Sequence, residues 1–330
     1  MEQKLAKEFE VVVAGGGIAG LTAGMTSARL GRSTLILTGD VPGGQLLSIE
    51  KVEGLPGHPD GIPGYDLCPI MQDQAAAAGA ELVMNGVTRL DRAGETWKIT
   101  SAEGDIVAGA VILATGSNLK KLHVPGEERL TGSGVSHCAT CDAPLLRGRI
   151  VAVVGGGDSA LQEGLTLAAS ASKVVLLHRG DELAGQKCYR DRAVADPKIE
   201  IHSNTIVTEI LGEAAVAGLH TRDMKSGAVL EIEVAAVFAY VGLQPNTSFV
   251  QNLLSLDSAG RIAADALTRT EMPGVFAAGT IRAHSPCRAA SAAGDGATAA
   301  VAADRYLADG SWPAHEISQD REALRAVARG

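Results

Sequence analysis

Two glycine-rich turns, each set between a β-branched run and an Ala-rich stretch at helical spacing, constrain the fold of this chain more than any other feature. The first is Gly15-Gly16-Gly17-Ile18-Ala19-Gly20, preceded by residues 9–14 and followed by a helical pattern over 18–30. The second is Gly155-Gly156-Gly157-Asp158-Ser159-Ala160, between a run at 149–154 and a helical pattern at 160–169 that leads to another apolar run at 173–177. Strand, glycine turn and helix in that order open a βαβ unit whose helix N-terminus receives a dinucleotide pyrophosphate. Gly15, Gly17 and Gly20 have separate jobs: the tight turn, backbone approach to phosphate, and close packing of helix on strand. The expected fold is therefore α/β with two Rossmann-like, three-layer ββα dinucleotide-binding domains. At 330 residues and 46% hydrophobic content, the chain is large enough for both.

Further turns point the same way. Residues 41–66 are rich in Gly and Pro, which marks a binding loop, and Gly44, Gln45 and Leu46 lie in it. A helical pattern at 65–78 and alternating patterns at 81–106 follow. The run at 111–116 ends on Ala114, Thr115 and Gly116, where backbone can approach a cofactor. The strand at 33–38 ends without the acid that usually binds an adenosine ribose, and Asp40 comes slightly late.

Cys138-Ala139-Thr140-Cys141-Asp142 falls between the two glycine turns. Thiols at this spacing can close a small disulfide ring, and a neighbouring acid can handle the proton of thiol exchange. His137 is a second acid-base candidate, and a solvated neighbour is its alternative reading. The competing reading of the pair is half a zinc site, but Cys68, Cys188 and Cys287 stand singly, so no metal is expected. A net charge of −9 argues against a nucleic-acid surface. The first ten residues are too charged for a secretory signal and no apolar run spans a bilayer, so the expectation is a cytoplasmic protein without a membrane segment.

Taken in order, these motifs, with His178-Arg179, 242–247 and 274–279, resemble the low-molecular-weight bacterial thioredoxin reductase family over nearly the whole chain. The resemblance implies an FAD domain made from 1–120 and 247–330, with a nicotinamide-nucleotide domain inserted at 121–246 and carrying the dithiol. It implies a homodimeric enzyme that passes electrons from reduced flavin through Cys138 and Cys141 to a thioredoxin-like protein or small disulfide. Cys141 would face the flavin, Cys138 the outside disulfide, and Asp142 would act as acid-base. A dithiol oxidase using oxygen and a non-catalytic nucleotide-binding redox sensor are the alternatives. The flavin contacts would come from Gly15, Gly17, Ile18, Ala19, Gly20, the 44–46 and 114–116 turns, and Gly279, Thr280, Cys287, Arg288 and Ala289. Those of NADPH or NADH would come from Gly155, Gly157, Asp158, Ser159, Ala160, His178 and Arg179.

Three departures from the family pattern stand out. The His-Arg-Arg and later Arg that hold a ribose 2′-phosphate are here His178-Arg179-Gly180 and Ala184, removing charge-assisted hydrogen bonds worth about 1.5–3 kcal/mol each. Lys187, Arg190 and Arg192 are candidate substitutes. Thr280 replaces an Asp that bonds the ribityl chain, and Cys287-Arg288 replaces an Arg-Gln pair near the flavin's pyrimidine edge. Ala143-Pro144 follows the dithiol in place of a Gly-aromatic pair, reshaping the surface offered to a partner. A helix at 292–307 with its N-terminus toward the flavin and a polar helical tail at 316–328 complete the expectations; no cysteine follows Cys287.

Overall fold

The computed structural model describes residues 7–312; the tail expected at 316–328 and the first six residues lie outside them. The described chain divides into two compact units. The outer one contains 7–47, Lys51–Asn118 and 244–312, and the inner one Ser48–Glu50 and Leu119–Leu243.

In the outer unit, β1 (Lys7–Ala14), β2 (Thr34–Leu37), β3 (Glu81–Val83), β4 (Val87–Ala93), β5 (Thr96–Ser101), β6 (Gly104–Leu113) and β17 (Val275–Ala277) form one sheet, ordered β3-β2-β1-β6-β5-β4 with β17 also on β6. All neighbours are parallel except β4–β5 and β5–β6. The sequence pattern at 111–116 captured only the end of β6. The strand starts at Gly104 because its first half pairs with β5 and its last residues, Val111–Leu113, pair with β17. β1 has apolar residues on both faces: Val11 and Val13 join a core with α1 (Ile18–Arg29), while Val12 and Ala14 join a second core with Trp97 and Ile99. Burying each such side chain contributes about 1.5–3 kcal/mol relative to exposure. α1 also packs on α6 (Ala289–Asp309), where a side chain on Gly296 would strike the Ala19 carbonyl. α6 begins three residues before the expected 292, since Ser291 Oγ accepts from Arg288 N–H at 3.3 Å and so caps an earlier turn. α2 (Gly64–Ala77) occupies the segment where a helix is expected.

The inner unit repeats the plan. β8 (Val135–Ser136), β9 (Ile150–Val154), β10 (Lys173–Leu177), β11 (Ile199–His202) and β15 (Ala236–Ala239) form a parallel sheet in the order β11-β10-β9-β15-β8. One face carries α3 (Ala139–Asp142), α4 (Asp158–Ala168) and α5 (Lys187–Ala195). The other packs on an antiparallel meander of β12 (Thr205–Leu211), β13 (Gly218–Asp223) and β14 (Val229–Glu233), which the sequence patterns did not signal. β9 alternates like β1, with Val151 and Val153 in one core and Ala152 and Val154 in the other. Short strands at the two crossings, β7 (Ser117–Leu119) and β16 (Leu243–Pro245), pair with each other.

Candidate functional site

In the outer unit the expected cofactor residues are joined by direct contacts. Gly15 has φ +123°, and a side chain there would collide with the Ala114 carbonyl; one on Gly20 would collide with the Gly15 carbonyl. Gly17, the N-cap of α1, has open space where a Cβ would stand, so its backbone can be approached from outside. Ile18, Ala19 and Gly20, which open α1, are buried behind that turn. The binding loop folds onto it. Gly43 N–H donates to Gly16 O at 2.8 Å, a Cβ on Gly44 would stand 3.3 Å from Gly17 Cα, Gln45 Nε2 donates to the Ser117 carbonyl, and Leu46 packs on the α1 core. Asn246 ties the Ala114-Thr115-Gly116 turn down: Thr115 Oγ1 donates to its carbonyl at 2.7 Å and its Nδ2 donates to Thr115 O at 3.0 Å. Ser117 Oγ donates to Thr280 Oγ1 at 2.9 Å, which closes the ring of turns. Open glycine backbone at a helix N-terminus is the kind of cradle that the two phosphates of FAD require.

Two features of this site escaped the sequence reading. Asp295, on α6, accepts from Gly279 N–H at 3.1 Å and from Arg282 through Nε and Nη2 at 3.0 and 2.9 Å. A half-buried carboxylate is thus tied to Gly279, next to Thr280, although the Asp of the family pattern is missing. Only its position on the α6 face could have signalled this. Cys287 adopts φ +54°, a left-handed conformation unusual for a residue with a Cβ, and its half-buried thiol lies 3.5 Å from Ser285 O. Arg288 and Ala289 follow at the exposed start of α6.

The inner turn reproduces the outer one. Gly155 has φ +142° and would clash with the Tyr240 carbonyl if substituted, while Gly157 caps α4 with open space around it. Ala160 is buried under the turn and Ser159 is exposed. Asp158 turns inward, accepting from Gln186 N–H at 2.6 Å and Gln186 Nε2 at 2.9 Å, so it anchors the 184–186 loop. His178 is 4% exposed, shares a 3.0 Å hydrogen bond with Ser203 Oγ, and has its pKa lowered by burial; at neutral pH it carries no charge. Arg179 beside it is exposed. The candidate substitute cations have other contacts: Lys187 pairs with Asp191, Arg190 Nη1 donates to Leu183 O, and Arg192 lies 5.7 Å over the Tyr189 ring.

Cys138 and Cys141 are joined as a disulfide across the single turn of α3, with Cα atoms 5.3 Å apart. Cys138 is the N-cap, and its sulfur accepts from Cys141 N–H at 3.2 Å. Cys138 is half-buried, Cys141 exposed and Asp142 half-buried, while His137 points to solvent. Ala139 and Ala143 are buried and fix the turn on the sheet. Pro144 lies in the first turn of the following 3-10 helix, where no N–H is required, and Leu145 beyond it is 82% exposed. Among the described residues no group of three or more His, Cys, Asp or Glu could hold a metal ion.

The family model described as pyridine nucleotide-disulphide oxidoreductase matches residues 9–296. A thioredoxin reductase of Streptomyces clavuligerus is 42% identical over 301 residues, covering 90% of this chain and 94% of that protein. Among solved structures, thioredoxin reductase of Lactococcus lactis in its FR conformation matches with TM-score 0.89 and 36% identity, over 91% of this chain and 99% of that one. The thioredoxin reductase of T. acidophilum matches with TM-score 0.87 and 33% identity, over 91% and 98%.

Proposed function

The chain belongs to the pyridine nucleotide-disulphide oxidoreductases, in their low-molecular-weight thioredoxin reductase branch, and on that premise we propose that Cys138–Cys141 is its redox centre and a thioredoxin-like protein its substrate. It is a flavoprotein disulfide reductase that uses FAD and a nicotinamide nucleotide. When bound, FAD supplies a carrier that relays two electrons from the nucleotide to sulfur. The outer ring of turns would hold FAD, and the turn at Gly155–Gly157, with Arg179, would hold the nucleotide. Neither the oxidase nor the sensor reading is favoured by these likenesses.

The observation that carries the proposal is a disulfide already closed on a short, partly exposed turn. After reduction, the Cys138 thiolate attacks the partner's disulfide, forming a mixed disulfide and releasing one partner thiolate, which Asp142 protonates. Cys141 then gives its proton to Asp142, attacks Cys138 sulfur, re-forms the internal disulfide and releases the second partner thiolate, which takes a proton from water. Neutral His178 and the missing arginines support a nucleotide site that discriminates weakly against NADH. The protein would work in the cytoplasm as a homodimer, which light scattering of the purified protein tests; no helix among the described residues is long and apolar enough to cross a membrane.

Cys138→Ser tests the centre. Its bound flavin should still bleach under anaerobic NADH or NADPH while turnover of a thioredoxin disulfide disappears; retained turnover would sink the assignment. Titrating the wild-type flavin with each nucleotide in parallel should give half-saturation within about tenfold for the two, equivalent to about 1.4 kcal/mol.

A further inference from the structure

Beneath the dithiol turn lies a buried acid that this chemistry does not yet use. On α4 the inward face consists of Ala160, Leu161, Gly164, Leu167, Ala168 and one carboxylate, Glu163, which is 6% exposed. The N–H of Ala139, the residue after Cys138, faces both that carboxylate and the Tyr240 hydroxyl. Its Oε2 has no hydrogen-bond partner among the described residues, and the same is true of two neighbouring buried atoms, Tyr240 OH and Thr140 Oγ1. Tyr240 is 7% exposed and lies against the same Ala139 N–H, so its hydroxyl shares the base of the turn with Glu163. An apolar residue would fit this helix face, whereas an isolated buried charge is expensive and an uncharged acid is tolerable.

We propose that Glu163 is a positioning residue for the dithiol: held as the uncharged acid, it fixes the base of the Cys138 turn and leaves the one negative charge the pocket accommodates to the reduced sulfur pair. The inference rests on Cys138–Cys141 being the redox centre. Reduction breaks the S–S bond and takes up two electrons and one proton, the equivalent of the hydride given up by the nicotinamide nucleotide, leaving one thiol and one thiolate. Below its own pKa Glu163 keeps its proton through this step. Burial, with a smaller push from Glu50 and against the pull of the Ala139 N–H, raises its pKa to about 7. Below that pH the acid is neutral and a thiolate forms unopposed. Above it the carboxylate ionises beneath the turn that carries the sulfurs, and carboxylate and thiolate repel, so their titrations are coupled.

The test follows iodoacetamide alkylation of the reduced holoenzyme at Cys138 and Cys141, resolved by peptide mass spectrometry, as a function of pH. Glu163→Gln keeps the acceptor for Ala139 N–H and removes the charge. Wild type and E163Q should react alike near pH 6, and near pH 8.5 E163Q should react about threefold faster, the effect of one unit in a thiol pKa lying close to that pH. Superimposed profiles, or a gap that is the same at every pH, would overturn the proposal. Infrared difference spectra of the wild type need no variant: the protonated-carboxyl band should titrate at a higher pH in the reduced than in the oxidised enzyme. A band blind to the dithiol's oxidation state would also overturn it. Either failure in an enzyme that turns over, and whose Cys138→Ser variant does not, removes the role of Glu163 and leaves the redox centre standing.

Discussion

At the scale of single residues, the two open glycines and the two clamped ones make opposite demands. Gly15→Ala forces a side chain into a left-handed backbone and against the Ala114 carbonyl, and should cost about 2–4 kcal/mol of stability. Gly17→Ala meets no protein atom within 4 Å, so its thermal melt without flavin should match wild type while flavin affinity falls, as read by absorbance of the bound flavin. Equal flavin affinity in Gly17→Ala would remove this turn from the cofactor site. These glycine roles were legible from spacing because backbone geometry, not a side chain, does the work. Asp158 and Glu163 were not legible in the same way. Both lie in or beside the motif, but the first carboxylate is turned onto Gln186 and the second into the core, and only three-dimensional packing decides that.

At the scale of elements, Arg32, in the loop between α1 and β2, ties two of them together. Its Nη1 donates to Glu10 Oε1 on β1 at 2.8 Å, and its Nε and Nη2 donate to Asp304 of α6 at 2.7 and 3.2 Å, with the Arg side chain 20% exposed. Arg32→Met should lower stability by about 1 kcal/mol, measured by denaturant unfolding at neutral pH. Arg32 holds the Glu10 pKa below its ordinary 4.5, so this stabilisation is fully present above pH 4.5 and fades as pH falls through the lowered value. The gap between variant and wild type should close in acid; a constant gap would assign the loss to packing alone. Strands β1, β2, β9 and β10 and helices α1, α2, α4 and α6 were legible from apolar runs and 3.6-residue periodicity, whereas β8, β11, β15 and α5 were too short or too polar to stand out. The meander β12–β14 was not, because its residues 229–233 are largely exposed and its strands alternate too weakly to stand out. The full length of β6 was hidden for a different reason, since a strand with different neighbours along its two halves shows no single pattern.

At the scale of the molecule, each unit owns its cores: the inner one has two, on the two faces of its parallel sheet. Residues 119–243 expressed alone should therefore melt cooperatively and retain the disulfide, and a broad, non-cooperative transition by circular dichroism would refute that autonomy. Where that segment leaves and re-enters the outer unit, Asn246 N–H donates to Gly116 O at 3.0 Å, and within the inner unit Lys120 N–H donates to Gly242 O at 3.0 Å. Each unit's severed ends are thus already stitched together. From the outer unit's side, the whole insertion is topologically no more than a hairpin loop whose closure entropy is nearly independent of what it contains. A gene could exchange that loop wholesale, or an engineer replace it with a two-residue turn, without disturbing a single strand of the frame it interrupts.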